Sequence, residues 1–195
     1  MRSRNWVRLF MSTLLVGGLS TTIIGLLFKW DEFGKTDMIE ILSVSIWFFV
    51  LGLLFSIISQ MGFFAYLTVH RFGLGIFRSL PLWNLVQIVL IVFVIFDLIF
   101  FREQLMGSSE KNTIPLLAFP FIILLFGLII AYYKRKQTNK EAFIPALFFM
   151  VVVTVIEWVP AFKVDDESWL YLMLFPLMIC NSYQLLLLHR LIKKS

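Results

Sequence analysis

The chain has little of what protein chemistry is usually built from. It carries one cysteine, Cys180, and two histidines, His70 and His189. A lone cysteine closes no internal disulfide and gives no sign of an oxidising compartment; inside an apolar run it reads as a small packing residue. Each histidine stands beside an arginine (Arg71, Arg190), with no second histidine or carboxylate nearby in sequence. Both read as interfacial residues without chemistry, and no metal or cofactor is expected. No HExxH, GxSxG, Walker A or CxxC pattern occurs, so no catalytic residue can be named and an enzyme is not expected. Charge is scarce as well: Asp, Glu, Lys and Arg make up 15% of 195 residues. There is no low-complexity tract. Three plus three helices would allow an inverted repeat, but the two halves do not match in residue pattern.

What is present is apolar. Hydrophobic residues make up 60% of the chain, against roughly 45–50% in ordinary soluble domains. The excess cannot be hidden in a soluble core of this size. Runs of about 20 apolar residues cross a hydrocarbon layer of about 30 Å, and six fit here: residues 7–28, 39–69, 82–101, 114–133, 142–162 and 169–191. The expected fold is an all-α integral membrane protein, a single polytopic domain over residues 1–195. Its six transmembrane helices form a bundle in the lipid bilayer, with both termini cytoplasmic. The start is basic (Arg2, Arg4, Arg8) and then apolar, as in a signal peptide. The stretch from Leu9 to Phe28 is 20 residues, longer than a secretory core of about 7–15, and reads as a retained first helix.

The basic residues test that topology. With the N-terminus inside, Arg2, Arg4, Arg8, Arg71, Arg78, Lys134, Arg135, Lys136, Lys140, Arg190, Lys193 and Lys194 are cytoplasmic, 12 of 17. Lys29, Lys35, Arg102, Lys111 and Lys163, the other 5, fall outside. Every inside cluster lies close to a span end, where the positive-inside rule acts. The outer loops also carry acids: Asp31, Glu32, Asp37 and Glu40, then Glu103 and Glu110, then Asp165, Asp166 and Glu167. A net charge of +5 written in this way orients helices; it offers no extended basic surface, so no nucleic acid is expected as a partner. Trp6, Trp30, Trp83 and Trp169 fall near span ends, as interfacial anchors do.

The second span is too long, at 31 residues or roughly 46 Å at 1.5 Å each. It tilts, bends near Gly62 or continues into the cytoplasm. The segment after it, Arg71 to Pro81, reads as an interfacial loop or short amphipathic helix. Arg71 and Arg78 there are candidate partner contacts, with a loop lying on anionic lipid as the plainer reading. In the first helix Gly17, Gly18, Thr21, Thr22 and Gly25 give small-residue spacing. Gly18, Thr22 and Gly25 either pack within the bundle or meet another membrane protein. Prolines 115, 120, 145, 160 and 176 suggest kinks in the last three spans, with Pro160 loosening a helix end.

Seven polar side chains inside the spans are candidate sites. Asp97 and Glu157 are ionisable, and such residues in lipid are functional by default. Both lie within about two turns of the outer boundary, roughly 6–8 Å, so the favoured reading solvates them in the headgroup region. The alternatives have them meeting each other, facing a small vestibule or binding a cation. The Glu157-Trp158-Val159-Pro160 setting makes Glu157 the better functional candidate. Asn84 and Gln87 are one turn apart near the inner end of the third span. Asn181 and Gln184 are one turn apart in the sixth, and Gln60 lies low in the second. These amides need partners away from water and are expected to face the interior, most simply as interhelical hydrogen bonds.

Three stretches carry a resemblance: Ser3 to Phe10 (SRNWVRLF), Gln60 to Leu67 (QMGFFAYL) and Glu157 to Pro160 (EWVP). With the length and six-span layout they make the chain similar, over essentially its whole extent, to the KinB-signalling pathway activation protein family. The resemblance implies a cytoplasmic-membrane protein of an endospore-forming bacterium. It implies positive action on the sensor histidine kinase KinB, which feeds the phosphorelay that starts sporulation. No catalytic residue or cofactor follows from it. A small bundle without enzyme motifs fits a regulator that biases KinB or another membrane signalling protein by contact. The alternative is a substrate-capture subunit of an energy-coupling-factor vitamin importer, which has similar length and span number and binds a nutrient tightly. A lipid enzyme fits less well, for want of a paired acid–base signature.

Overall fold

The structure is a computed structural model that describes residues 3–30, 37–106, 113–164 and 167–193, with no side chains described for 3, 101–106, 113–117, 163, 167, 192 and 193. Arg2, Lys35, Lys111 and Lys194, and the acids Asp31, Glu32, Glu110, Asp165 and Asp166, lie outside the described residues. So do the side chains of Arg102, Glu103, Pro115, Lys163, Glu167 and Lys193.

The described residues are helical almost throughout. Four long helices come first: α1 (Ser3–Phe28), α2 (Met38–Phe77), α3 (Leu80–Met106) and α4 (Thr113–Gln137). A composite rod follows. It consists of a 3₁₀ turn (Lys140–Ala142), α5 (Phe143–Phe148), a π-turn (Phe149–Val153), α6 (Thr154–Trp158) and a second 3₁₀ turn (Val159–Lys163). The last element is α7 (Glu167–Lys193). Six helices among the described residues are long and apolar enough to cross a membrane, the composite rod counting as one. Helix is the form such runs take because each backbone N–H finds its acceptor within the same segment.

The chain divides into two units. The first comprises residues 1–64 and 156–195, and the second residues 65–155. In the first unit α1 and α7 pack antiparallel. Asn5 Nδ2, at the start of α1, donates to the Leu191 carbonyl at the end of α7, 3.2 Å away. At the other end the Phe28 and Tyr171 rings lie 6.1 Å apart. Helix α1 also packs closely on α2. A Cβ on Gly52 would run into the Gly17 carbonyl oxygen, and one on Gly17 would lie 2.7 Å from that of Gly52. Glycine at both positions lets the two backbones approach.

The composite rod follows from its sequence. Asn139 caps its start, its side chain accepting from the Ala142 N–H at 2.9 Å. Pro145 falls early in the rod, in the first turn of α5, where a missing N–H costs little. Val151, Val152 and Val153 are a β-branched run of low helix propensity, and here the ladder widens into the π-turn. Pro160 lies in the closing 3₁₀ turn, and the backbone is extended by Val164. Pro120 and Pro176 lie within helices.

In the second unit the end of α2 and the start of α3 form a helical hairpin. Helix α2 has 40 residues, about 60 Å at 1.5 Å per residue. The segment from Arg71 to Pro81 is therefore neither a loop nor a separate short helix. Residues 71–77 continue α2, Arg78 and Ser79 turn the chain, and α3 starts at Leu80. The two glycines of this segment differ. Gly73 lies flat against the Trp83 indole, where a Cβ would come within 2.5 Å of the ring, whereas Gly75 faces open space. Trp83 is buried. It stacks on Phe77 at 5.6 Å, and its indole N–H donates to His70 Nδ1 at 3.0 Å. Arg78 holds a positive φ of 50°, the left-handed cap position that glycine usually fills.

Candidate functional site: a buried polar chain

Four side chains in the first unit are joined into one hydrogen-bonded chain. Asn181 Nδ2 donates to Glu157 Oε2 at 2.7 Å. Ser59 Oγ donates to Asn181 Oδ1 at 2.7 Å. Gln184 Nε2 donates to Ser59 Oγ at 2.6 Å and to the Cys180 carbonyl at 3.3 Å. One turn along α2, Gln60 Nε2 donates to Ser56 Oγ at 3.2 Å. The geometry follows from helical spacing. Ser56, Ser59 and Gln60 stand at i, i+3 and i+4 on α2, and Cys180, Asn181 and Gln184 stand at i, i+1 and i+4 on α7, so each set shares a face. Glu157 is brought in by its neighbour. Trp158 is fully buried and its indole N–H donates to the Leu170 carbonyl at 2.9 Å, tying the end of α6 to α7.

The chain is dry. Ser56, Ser59, Asn181 and Gln184 have no exposed surface, and Gln60 and Glu157 are 3% and 6% exposed. It is also incomplete. Glu157 Oε1, Gln184 Oε1 and Gln60 Oε1 are buried without a hydrogen-bond partner, as is Thr21 Oγ1 on α1. Buried polar atoms are paired in the great majority of cases, so this concentration is unusual. A carboxylate held in apolar surroundings must be neutralised by a proton or a cation.

The structure separates the candidates. Asn181, Gln184 and Glu157 come together through Ser59, and Gln60 lies on the same stretch of α2, bonded to Ser56. Asp97 is exposed on α3 and takes no part. The solvated reading therefore fails for Glu157, which is buried and accepts from Asn181. Asn84 and Gln87 belong to the second unit. Gln87 is fully buried, with both amide atoms unpaired, and the Asn84 Oδ1 is likewise without a partner. Gly18 and Gly25 are closed off as outward contacts, because each is covered by an aromatic ring of α2, Phe49 and Phe48 respectively. Thr22 is half-buried and bonds the Gly18 carbonyl at 2.8 Å. Arg71 and Arg78 are exposed. Ser59 was missed by the sequence reading, yet it is the hub. Its signal was its place beside Gln60, one turn from Ser56, in an otherwise apolar run. Among the described residues no group of three His, Cys, Asp or Glu is placed to hold a metal ion.

Comparison with known proteins gives one family. The model for KinB-signalling pathway activation in sporulation (KbaA) matches residues 17–191. A curated relative, the KinB-signaling pathway activation protein of Bacillus subtilis (strain 168), is 50% identical over 198 aligned residues, which cover 100% of both chains. No solved structure matches.

Proposed function

The chain belongs to the family of KinB-signalling pathway activation in sporulation, and from that premise we propose that it is a membrane-embedded positive regulator of the kinase KinB. The observation that carries the reading is the full-length similarity to a protein named for activating KinB signalling. The chain spans the bacterial cytoplasmic membrane six times as one polytopic domain, over the spans drawn from the sequence, with both termini inside. The six long apolar helices support the spans, and the excess of basic residues at one set of helix ends supports the orientation.

It acts by contact in the membrane rather than by catalysis. A regulator of this kind need only favour one state of its partner by differential contact, typically about 1–3 kcal/mol. The exposed Arg71 and Arg78 at the α2–α3 turn are the proposed contact edge. The buried polar chain fixes the packing of α2, α6 and α7. The family match favours this reading over the vitamin-capture alternative, which requires tight binding of a nutrient.

The test is genetic. Deleting the gene in its host is expected to lower early phosphorelay reporter output in a strain that relies on KinB, with recovery on complementation. The effect disappears when KinB is also absent. Unchanged output in the KinB-reliant strain overturns the reading and redirects the work to nutrient uptake.

A further inference from the structure

We propose that the buried polar chain of the first unit binds a small monovalent cation, with Glu157 supplying the charge and Gln60 and Gln184 supplying neutral oxygen ligands. The proposal is read from the isolated chain and stands apart from the pathway reading.

The argument is an accounting of donors and lone pairs. In the first unit, every buried side-chain atom without a partner among the described residues is an oxygen: Thr21 Oγ1, Gln60 Oε1, Glu157 Oε1 and Gln184 Oε1. Three of these four carry lone pairs only. The amide nitrogens on the same residues are already engaged. Gln60 Nε2 is on Ser56, Gln184 Nε2 is on Ser59 and the Cys180 carbonyl, and Asn181 Nδ2 is on Glu157. Turning Gln184 over would not help. Ser59 gives its only proton to Asn181 and must accept from Gln184, so the nitrogen has to face Ser59 and the oxygen has to face away. These oxygens are acceptor sites for a proton donor or a cation.

Three of the residues that bear these oxygens are linked through one hub. Gln60 is the chain neighbour of Ser59, Gln184 is bonded to Ser59, and Glu157 is one hydrogen bond further on, through Asn181. All three residues are more than nine-tenths buried. A proton on Glu157 would supply one donor and leave both amide oxygens bare. Water would supply donors and leave the carboxylate charge uncompensated in an apolar setting. A monovalent cation answers both needs. It balances one carboxylate, and hard cations take carboxylate and amide oxygens as ligands. A divalent ion is disfavoured, because the chain offers one carboxylate and the described residues contain no cluster of three metal-ligating side chains.

The experiment is equilibrium binding of radiosodium, and separately of radiorubidium as a potassium surrogate, to the purified full-length chain in lipid nanodiscs, with choline chloride holding the ionic strength. Saturable binding of at least one of the two ions, displaced by the same unlabelled ion and not by choline, is expected; competition then identifies sodium or potassium. Glu157→Gln, which removes the charge and brings its own donor, is expected to lose that binding while unfolding at or above the wild-type temperature in choline. Gln60→Leu leaves the charge in place and is expected to weaken the binding. Absence of saturable binding for both ions, displacement by choline, or undiminished binding by Glu157→Gln overturns the proposal. Thermal stability that follows pH but not ion identity also overturns it, in favour of a protonated Glu157.

Discussion

Asn181 works in two directions at once. Its nitrogen holds Glu157 and its oxygen takes the Ser59 proton, so one residue on α7 joins α6 to α2. Asn181→Leu removes two interhelical bonds of about 0.6–2 kcal/mol each and strands a buried carboxylate. A loss of roughly 1–4 kcal/mol is expected in thermal or detergent unfolding. The double variant Asn181→Leu/Glu157→Leu is expected to lose less than the sum of the two single losses, because removing both partners leaves no stranded charge. Additive losses would show that the two side chains do not interact. Glu157 and the amides could be picked out in the sequence, because polar residues in apolar runs stand out. Their arrangement could not. Closeness to the outer boundary suggests a solvated Glu157, whereas Trp158 ties the end of α6 to α7 and Glu157 is buried. Ser59 was passed over because a serine in a span usually satisfies itself on its own helix, as Ser43 and Ser45 do on Ile39 and Ile41.

At the scale of elements, the α2–α3 hairpin gives the sharpest contrast. Two glycines two residues apart read alike in sequence and differ in the structure. Gly73→Ala would drive a methyl into the Trp83 indole and is expected to destabilise by about 1–3 kcal/mol. Gly75→Ala meets nothing and is expected to stabilise by about 0.5–1 kcal/mol through helix propensity. Comparing the unfolding temperatures of the two variants checks the pair; equal shifts would contradict the hairpin. Arg78→Gly is expected to gain about 1 kcal/mol by relieving the positive φ. The segment reads as an interfacial loop or short amphipathic helix because arginine and glycine within an apolar run imitate an interfacial connection. What decides the matter is a ring packed on a bare backbone, and that is a tertiary fact. The π-turn was hidden for a similar reason: a run of valines is as good a sign of an ordinary span as of a widened turn.

For the whole molecule, the number of long apolar helices was legible because bilayer thickness is a coarse ruler and each run met it independently. Orientation rests on charge, and it can be tested by labelling. In a Cys180→Ser background, Trp30→Cys is expected to react with a membrane-impermeant maleimide added to intact protoplasts. Lys136→Cys is expected to react only after permeabilisation. The reverse pattern would invert the topology. The family was legible only through resemblance, because no residue spacing here carries a chemical signature.

The most direct measurement of the central claim is site-specific photocrosslinking in the host membrane. A photoreactive residue is placed at Arg71 or Arg78, with Phe93, exposed on α3, as the comparison site. A KinB adduct from position 71 or 78, much weaker from position 93, is the predicted result. No KinB adduct from either arginine position, with KinB present in the same membrane and the chain still supporting its signalling, would contradict direct contact at this edge.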